Sequence, residues 1–173
     1  MSVPWAALSD PVAIVAIVLA YAWLAVASVV LAVIDVRTHR LPNAWVLPDY
    51  PVLGGLLLVA CLAGAPWSSL LRAAVGGAAL FVFYLLLRVA GGGMGGGDVK
   101  LAGVLGMALG WAGWSALAVG AVAGFVLGGV YGALLLATRR ASRRTAVAFG
   151  PWMLLGAWTG ILLGADVADR LGL

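Results

Sequence analysis

Two aspartates stand apart from the other polar residues of this chain. Asp35 follows directly on a long apolar run, in Ile34-Asp35-Val36-Arg37-Thr38-His39-Arg40-Leu41-Pro42-Asn43. Asp98 follows a stretch of six glycines interrupted by Met94, and leads into Val99-Lys100-Leu101. Two carboxyls brought close cannot both ionise cheaply, so one keeps its proton and the other acts as base. Such a pair can activate a water against a peptide carbonyl and then protonate the leaving amine. Plainer roles stay open at this point. Asp35 also fits a helix-end residue that meets water, and Asp98 fits an N-cap beside a positive helix end.

The elements that must position these residues are membrane helices. Of 173 residues, 65% are hydrophobic and 9% charged, against about 25% charged in soluble domains. Residues 11–34 carry no charge at all. A helix of that length is about 36 Å long, enough for a hydrocarbon core of about 30 Å. The composition predicts an all-α, polytopic membrane protein of one transmembrane domain over 1–173. Six crossings are expected, at 11–34, 44–63, 70–90, 99–113, 115–137 and 146–164. The apolar stretch 101–137 is too long for one crossing, and Gly110-Trp111-Ala112-Gly113-Trp114-Ser115 offers the break. Pro48, Asp49 and Pro51 lie early in the second span and predict broken or interfacial first turns.

Basic residues set the orientation. With the N-terminus outside, the inner segments hold Arg37, Arg40, Arg88, Lys100, Arg139, Arg140, Arg143 and Arg144, and the outer side only Arg72 and Arg170. That bias predicts both termini outside. The first helix then runs inward to end at Asp35, and the fourth runs outward from Asp98. Both carboxyls fall at one membrane face, 63 residues apart in sequence. The first apolar stretch has no basic region before it and does not read as a cleaved signal. Gly120, Gly124, Gly128 and Gly132, then Gly156, Gly160 and Gly164, then Gly106 and Gly110, recur at four-residue spacing. Such faces let membrane helices approach closely.

Other chemistries find little support. The single cysteine, Cys61, cannot form an internal disulfide or a cysteine-built zinc site. His39 is the only histidine and has no partner ligand, so no metal and no cofactor is expected. The glycine stretch with Lys100 lacks the Lys-Ser/Thr ending of a phosphate loop. The net charge of +4 is explained by orientation in the bilayer, so no nucleic-acid partner is expected, and the arginines at 139–144 favour contact with anionic lipid.

With both aspartates in view, the chain resembles the type IV prepilin peptidase family of membrane aspartic proteases. Asp35 to Asn43 resembles the family's Asp-bearing segment ending in Leu-Pro-Asn. Gly95-Gly96-Gly97-Asp98-Val99-Lys100-Leu101 resembles its Gly-x-Gly-Asp-x-Lys-Leu, and Ala148-Phe149-Gly150-Pro151-Trp152 is a weaker match to its Phe-Gly-Pro-Phe. The resemblance implies that Asp35 and Asp98 are catalytic and that Gly95, Gly97, Lys100, Pro42, Asn43, Phe149, Gly150 and Pro151 shape the site or contact substrate. It implies a prepilin or pseudopilin precursor as partner, with a basic leader ahead of a hydrophobic helix. The cut is expected at the cytoplasmic side of a bacterial inner membrane. Bifunctional members carry paired Cys-x-x-Cys sequences and methylate the product. With only Cys61, the resemblance is to short, peptidase-only members such as those of tight-adherence pilus systems. Acidic groups for the leader are few on the inner side: Asp35, Asp98 and Asp49. The competing classes are a small proton-coupled transporter and a structural subunit of a secretion or pilus complex.

Overall fold

A computed structural model describes residues 10–91, 94–138 and 148–171. The described residues are all-α. They form α1 (Pro11–Thr38), α2 (Asn43–Leu62), α3 (Trp67–Gly91), α4 (Gly96–Ala112), α5 (Trp114–Ala137) and α6 (Gly150–Leu171). Arg139, Arg140, Arg143 and Arg144, on which much of the expected orientation rests, lie outside the described residues.

The outward surface identifies the solvent. Val18, Val29, Leu62, Leu86 and Val89 all lie more than half exposed. In water such a surface would be a large apolar patch; in lipid it is the ordinary exterior. α1, α2, α3 and, within α5, Trp114–Leu135 are long and apolar enough to cross a membrane. Among the described residues, six helices thus stand where six crossings were expected, and four of them meet that standard of length and composition. α4, with 17 residues, is about 26 Å long.

The described structure moves several expected boundaries. α1 continues through Asp35 to Thr38, so the carboxyl sits inside the helix near its end. His39 then stops it in the left-handed conformation, at φ 51°. α2 is continuous: Pro48 and Pro51 both lie inside it, and the expected break in its first turns is not found. The fourth helix begins at Gly96, three residues ahead of the expected 99. Asp98 therefore occupies the third helical position, and the N-cap is Gly95. α6 begins at Gly150 and runs to Leu171, where 146–164 was expected; Ala148 and Phe149 are not helical. Pro151 explains that start, since a proline in the first helical turn sacrifices no intrahelical donor.

Glycines set how closely the helices approach. A Cβ on Gly76 or Gly106 would run into the other's backbone, and one on Gly110 would strike Arg72, so α3 and α4 pack backbone to backbone. Gly156 and Gly160 meet Gly120, Gly124 and Ala116 in the same way, joining α5 to α6. Gly132, the last of its ladder, has nothing among the described residues within 4 Å of where a Cβ would stand. The turn between α4 and α5 is Gly113, whose φ of 150° with ψ 168° suits glycine and few other residues. Just before it, Arg72 donates from Nε to the Gly110 carbonyl and from Nη2 to the Trp111 carbonyl, both at 3.2 Å. It thereby satisfies helix-end acceptors that lack intrahelical partners.

α4 occupies the middle of the bundle and touches α2, α3, α5 and α6. Leu101, Ala102, Val104 and Ala108 on it are wholly buried. The Tyr21 hydroxyl braces α1 against it by donating to the Ala108 carbonyl at 2.9 Å. This arrangement brings the C-terminal end of α1 and the N-terminal ends of α4 and α6 together.

Candidate active site

Asp35 is buried, with 3% of its surface exposed. Its Oδ2 accepts a hydrogen bond from the Gly150 backbone N–H at 2.9 Å, across 115 residues. That N–H belongs to the first turn of α6, where amides have no intrahelical acceptor and the helix end is positive. The absence of a side chain at Gly150 is required, because a Cβ there would lie 2.7 Å from Oδ2 of Asp35. Phe149 sits just ahead, and its carbonyl accepts from Trp152 and Met153 to begin the helix.

Asp98 is half-buried. Its Oδ2 accepts from the Gly95 backbone N–H at 3.1 Å. This is the reaching-back half of a capping box, with glycine as the cap. The N-cap role considered from sequence is therefore corrected: Asp98 serves the cap from inside the helix. The two carboxyls belong to segments that meet at one residue, Leu41, which borders Gly97 beside Asp98 and Gly150 against Asp35.

Leu41 joins the two segments. It is buried, and its Cβ and carbonyl occupy the space where a side chain on Gly97 would project. Its Cδ1 also borders Gly150, 3.4 Å from where a Cβ would stand. One leucine thus packs against both the Asp98 loop and the start of α6. Pro42 follows it as the N-cap of α2. Asn43 Oδ1 accepts from Lys100 Nζ at 2.7 Å, and the Lys100 carbonyl accepts from the Tyr50 hydroxyl at 2.7 Å. These bonds tie α2 to the first turns of α4. Gly103 makes room for the Tyr50 hydroxyl, and the Arg88 guanidinium lies over Gly96.

An aromatic wall stands behind the site. Phe149 packs on Phe125 with centroids 5.8 Å apart and on Tyr84 at 6.3 Å, and Tyr84 meets Phe125 at 5.2 Å. Gly128 leaves the space that the Phe149 ring fills.

Every residue expected at the site from sequence therefore lies at this end of the bundle: Asp35, Asp98, Pro42, Asn43, Gly95, Gly97, Lys100, Phe149, Gly150 and Pro151. Leu41 and Tyr50 were not among them. Asp49, the third acidic group of this side, lies inside the bundle. It is 1% exposed, its Oδ1 accepts from Trp23 Nε1 at 2.9 Å, and its Oδ2 has no partner among the described residues. Among the described residues no group of three or more His, Cys, Asp or Glu side chains is placed to hold a metal ion.

Fold and site together define an all-helical polytopic membrane protein that gathers two acidic side chains at one end of its bundle. The chain belongs to the type IV leader peptidase family, whose model matches residues 19–136. That span includes both aspartates and the Leu-Pro-Asn segment, and stops short of Phe149-Gly150-Pro151. The chain is 33% identical over 142 residues to a prepilin leader peptidase/N-methyltransferase of Stutzerimonas stutzeri, covering 79% of this chain and 47% of that protein. To the protein of the same description from Pseudomonas putida it is 34% identical over 140 residues, covering 79% and 47%. To that of Bacillus subtilis (strain 168) it is 29% identical over 140 residues, covering 80% and 53%. The chain spans about half the length of these relatives. No solved structure matches it.

Proposed function

We propose that this protein is a membrane-embedded aspartic endopeptidase that removes the leader from prepilin-like precursors, with Asp35 and Asp98 as its catalytic pair. The observation that carries the reading is the convergence of two carboxyls from α1 and α4, each held by a backbone N–H, at one end of an apolar bundle. Membership of the leader peptidase family supports the same reaction.

The chemistry needs one carboxylate and one carboxylic acid. The carboxylate takes a proton from water as the hydroxyl oxygen bonds to the scissile carbonyl carbon. The other carboxyl gives its proton to the carbonyl oxygen. The tetrahedral intermediate then collapses: one of its hydroxyls gives its proton back to the carboxylate that had protonated the carbonyl oxygen, the C=O bond re-forms as the C–N bond breaks, and the amine leaves with the proton the first carboxyl took from water. Products are a free carboxylic acid and a free amine, and the pair returns to sharing one proton. Gly150 and Gly95 fix one oxygen of each carboxyl, which leaves the other oxygen of each for water and substrate.

In this reading the helices make six crossings of a bacterial inner membrane with both termini outside, and the carboxyls sit at the cytoplasmic rim. The arginine bias supports that orientation. The substrate is a precursor with a basic leader ahead of a hydrophobic helix, cut where that helix meets the cytoplasm. The peptidase acts without methylating the product.

The test is cleavage of a co-expressed prepilin-like precursor, read as the size shift of its product. Asp35→Asn and Asp98→Asn should each abolish cleavage while the protein remains in the membrane. Full cleavage by either variant ends the two-carboxyl reading. A structural subunit would keep its assembly role with both changes.

A further inference from the structure

α1 and α6 leave each other along their length. At the inner end they meet through Asp35 and Gly150. Half-way along, Trp158 Nε1 donates to Ser28 Oγ at 3.2 Å. Beyond that bond a groove of about 520 Å³ opens between them, lined by Ile14, Ile17, Val18, Tyr21, Ala22, Trp158 and Ile161. Its size falls within the range of ligand-binding clefts. The two polar atoms on its walls are already used, the Tyr21 hydroxyl on the Ala108 carbonyl and the Trp158 indole on Ser28. What faces the groove is hydrocarbon and ring surface.

Resting on the peptidase reading above, we propose that this groove seats the far part of the substrate's own hydrophobic helix. The argument is continuity. The groove lies between the same two helices that meet at Asp35, so an occupant seated in it and passing over the outer side of the Ser28–Trp158 bond runs on toward the carboxyl. Along α1, Tyr21 is about 21 Å from Asp35 and Ile14 about 32 Å. A precursor cut beside Asp35 and helical thereafter would bring the residues about 14 to 21 positions beyond the cut alongside the groove. A lipid chain matches the apolar lining but has no reason to share the seam with the carboxyls. An apolar segment joined to the scissile bond does. The groove would act as a depth gauge, holding the helix so that its cytoplasmic end presents one peptide bond to Asp35 and Asp98.

The test uses the full chain in membranes with a prepilin-like precursor. In an Asp98→Asn background, a photo-crosslinking residue replaces Val18, which is 60% exposed. A second protein carries the same probe at Val75, on the outward face of α3. The Val18 probe should yield an adduct with the precursor, mapped by mass spectrometry to about 14 to 21 residues beyond the cut, and the Val75 probe only phospholipid adducts. In the otherwise native chain, Ala22→Trp should fill the groove and lower precursor cleavage about tenfold through a raised KM. A Val18 adduct with phospholipid alone, or Ala22→Trp cleaving at the native rate, overturns the proposal. If either happens while Asp35→Asn and Asp98→Asn stay inactive, the groove assignment falls and the catalytic reading stands. If those asparagine variants cleave, the catalytic reading falls and takes the groove with it.

Discussion

Gly150→Ala isolates the contact on which the candidate site turns. The added methyl would stand 2.7 Å from Asp35 Oδ2 and 3.3 Å from its Cγ, whereas ordinary contact begins near 3.4 Å. The carboxyl or the start of α6 must therefore retreat by about 0.7 Å. A retreat of that size strains or breaks the 2.9 Å bond from the Gly150 N–H. Hydrogen bonds to charged groups contribute about 1.5–3 kcal/mol, and each 1.36 kcal/mol is about tenfold in rate. Misplacement of a reacting group by about 1 Å can cost about a hundredfold. Both routes predict a fall in kcat of about 10- to 100-fold. The assay is a time course of precursor cleavage by purified protein in detergent, with membrane yield measured alongside. Gly129→Ala is the control, since among the described residues nothing lies within 4 Å of its added methyl, and it should cleave at the native rate. A Gly150→Ala protein as fast as the parent would refute the claim that this amide holds a catalytic carboxyl.

Four further outcomes follow from the same geometry. Lys100→Met removes the donor to Asn43 and loosens α2 from α4, so cleavage should fall about three- to tenfold with both aspartates intact; Asn43→Ala should match it, and the double variant should be no worse than either. Asp49→Asn keeps an oxygen for Trp23 and replaces the orphaned Oδ2 with an amide; cleavage should stay within about threefold of native, and a larger loss would place Asp49 in the reaction. Gly106→Val drives a side chain into the backbone of α3; overpacking of that kind costs roughly 1–3 kcal/mol or more of stability, so the thermal midpoint in detergent and the membrane yield should both drop. Because the pair works with one proton, cleavage should trace a bell against pH, and an added zinc chelator should leave it unchanged.

The residues whose chemistry is unusual for their surroundings were the ones legible beforehand. An aspartate at either end of an apolar run is conspicuous, and the alternation of helices alone puts Asp35 and Asp98 at one end. The glycine spacing likewise foretold close helix contacts, which the fold realises between α3 and α4 and between α5 and α6. Leu41 and Tyr50 were not legible, because a leucine before a proline and a tyrosine in a helix look like any packed residue. Only the fold reveals that Leu41 fills the space above Gly97 and borders Gly150. The start of α4 was placed too late because Gly96 and Gly97 are poor helix formers. The packing of Gly97 on Leu41 outweighs that preference. Nor does the sequence reveal that Asp49 is buried: only the fold places it inside the bundle, with its Oδ1 on the Trp23 indole.

The most direct measurement is a double-variant cycle on the cleavage rate of a single purified precursor, comparing the native chain, Asp35→Asn, Asp98→Asn and the two changes combined. Groups that act as a unit lose their function together, so each single change should abolish cleavage and the combination should be no slower than either. Partial losses that multiply in the combined variant would mean that the carboxyls act independently, and would contradict the account.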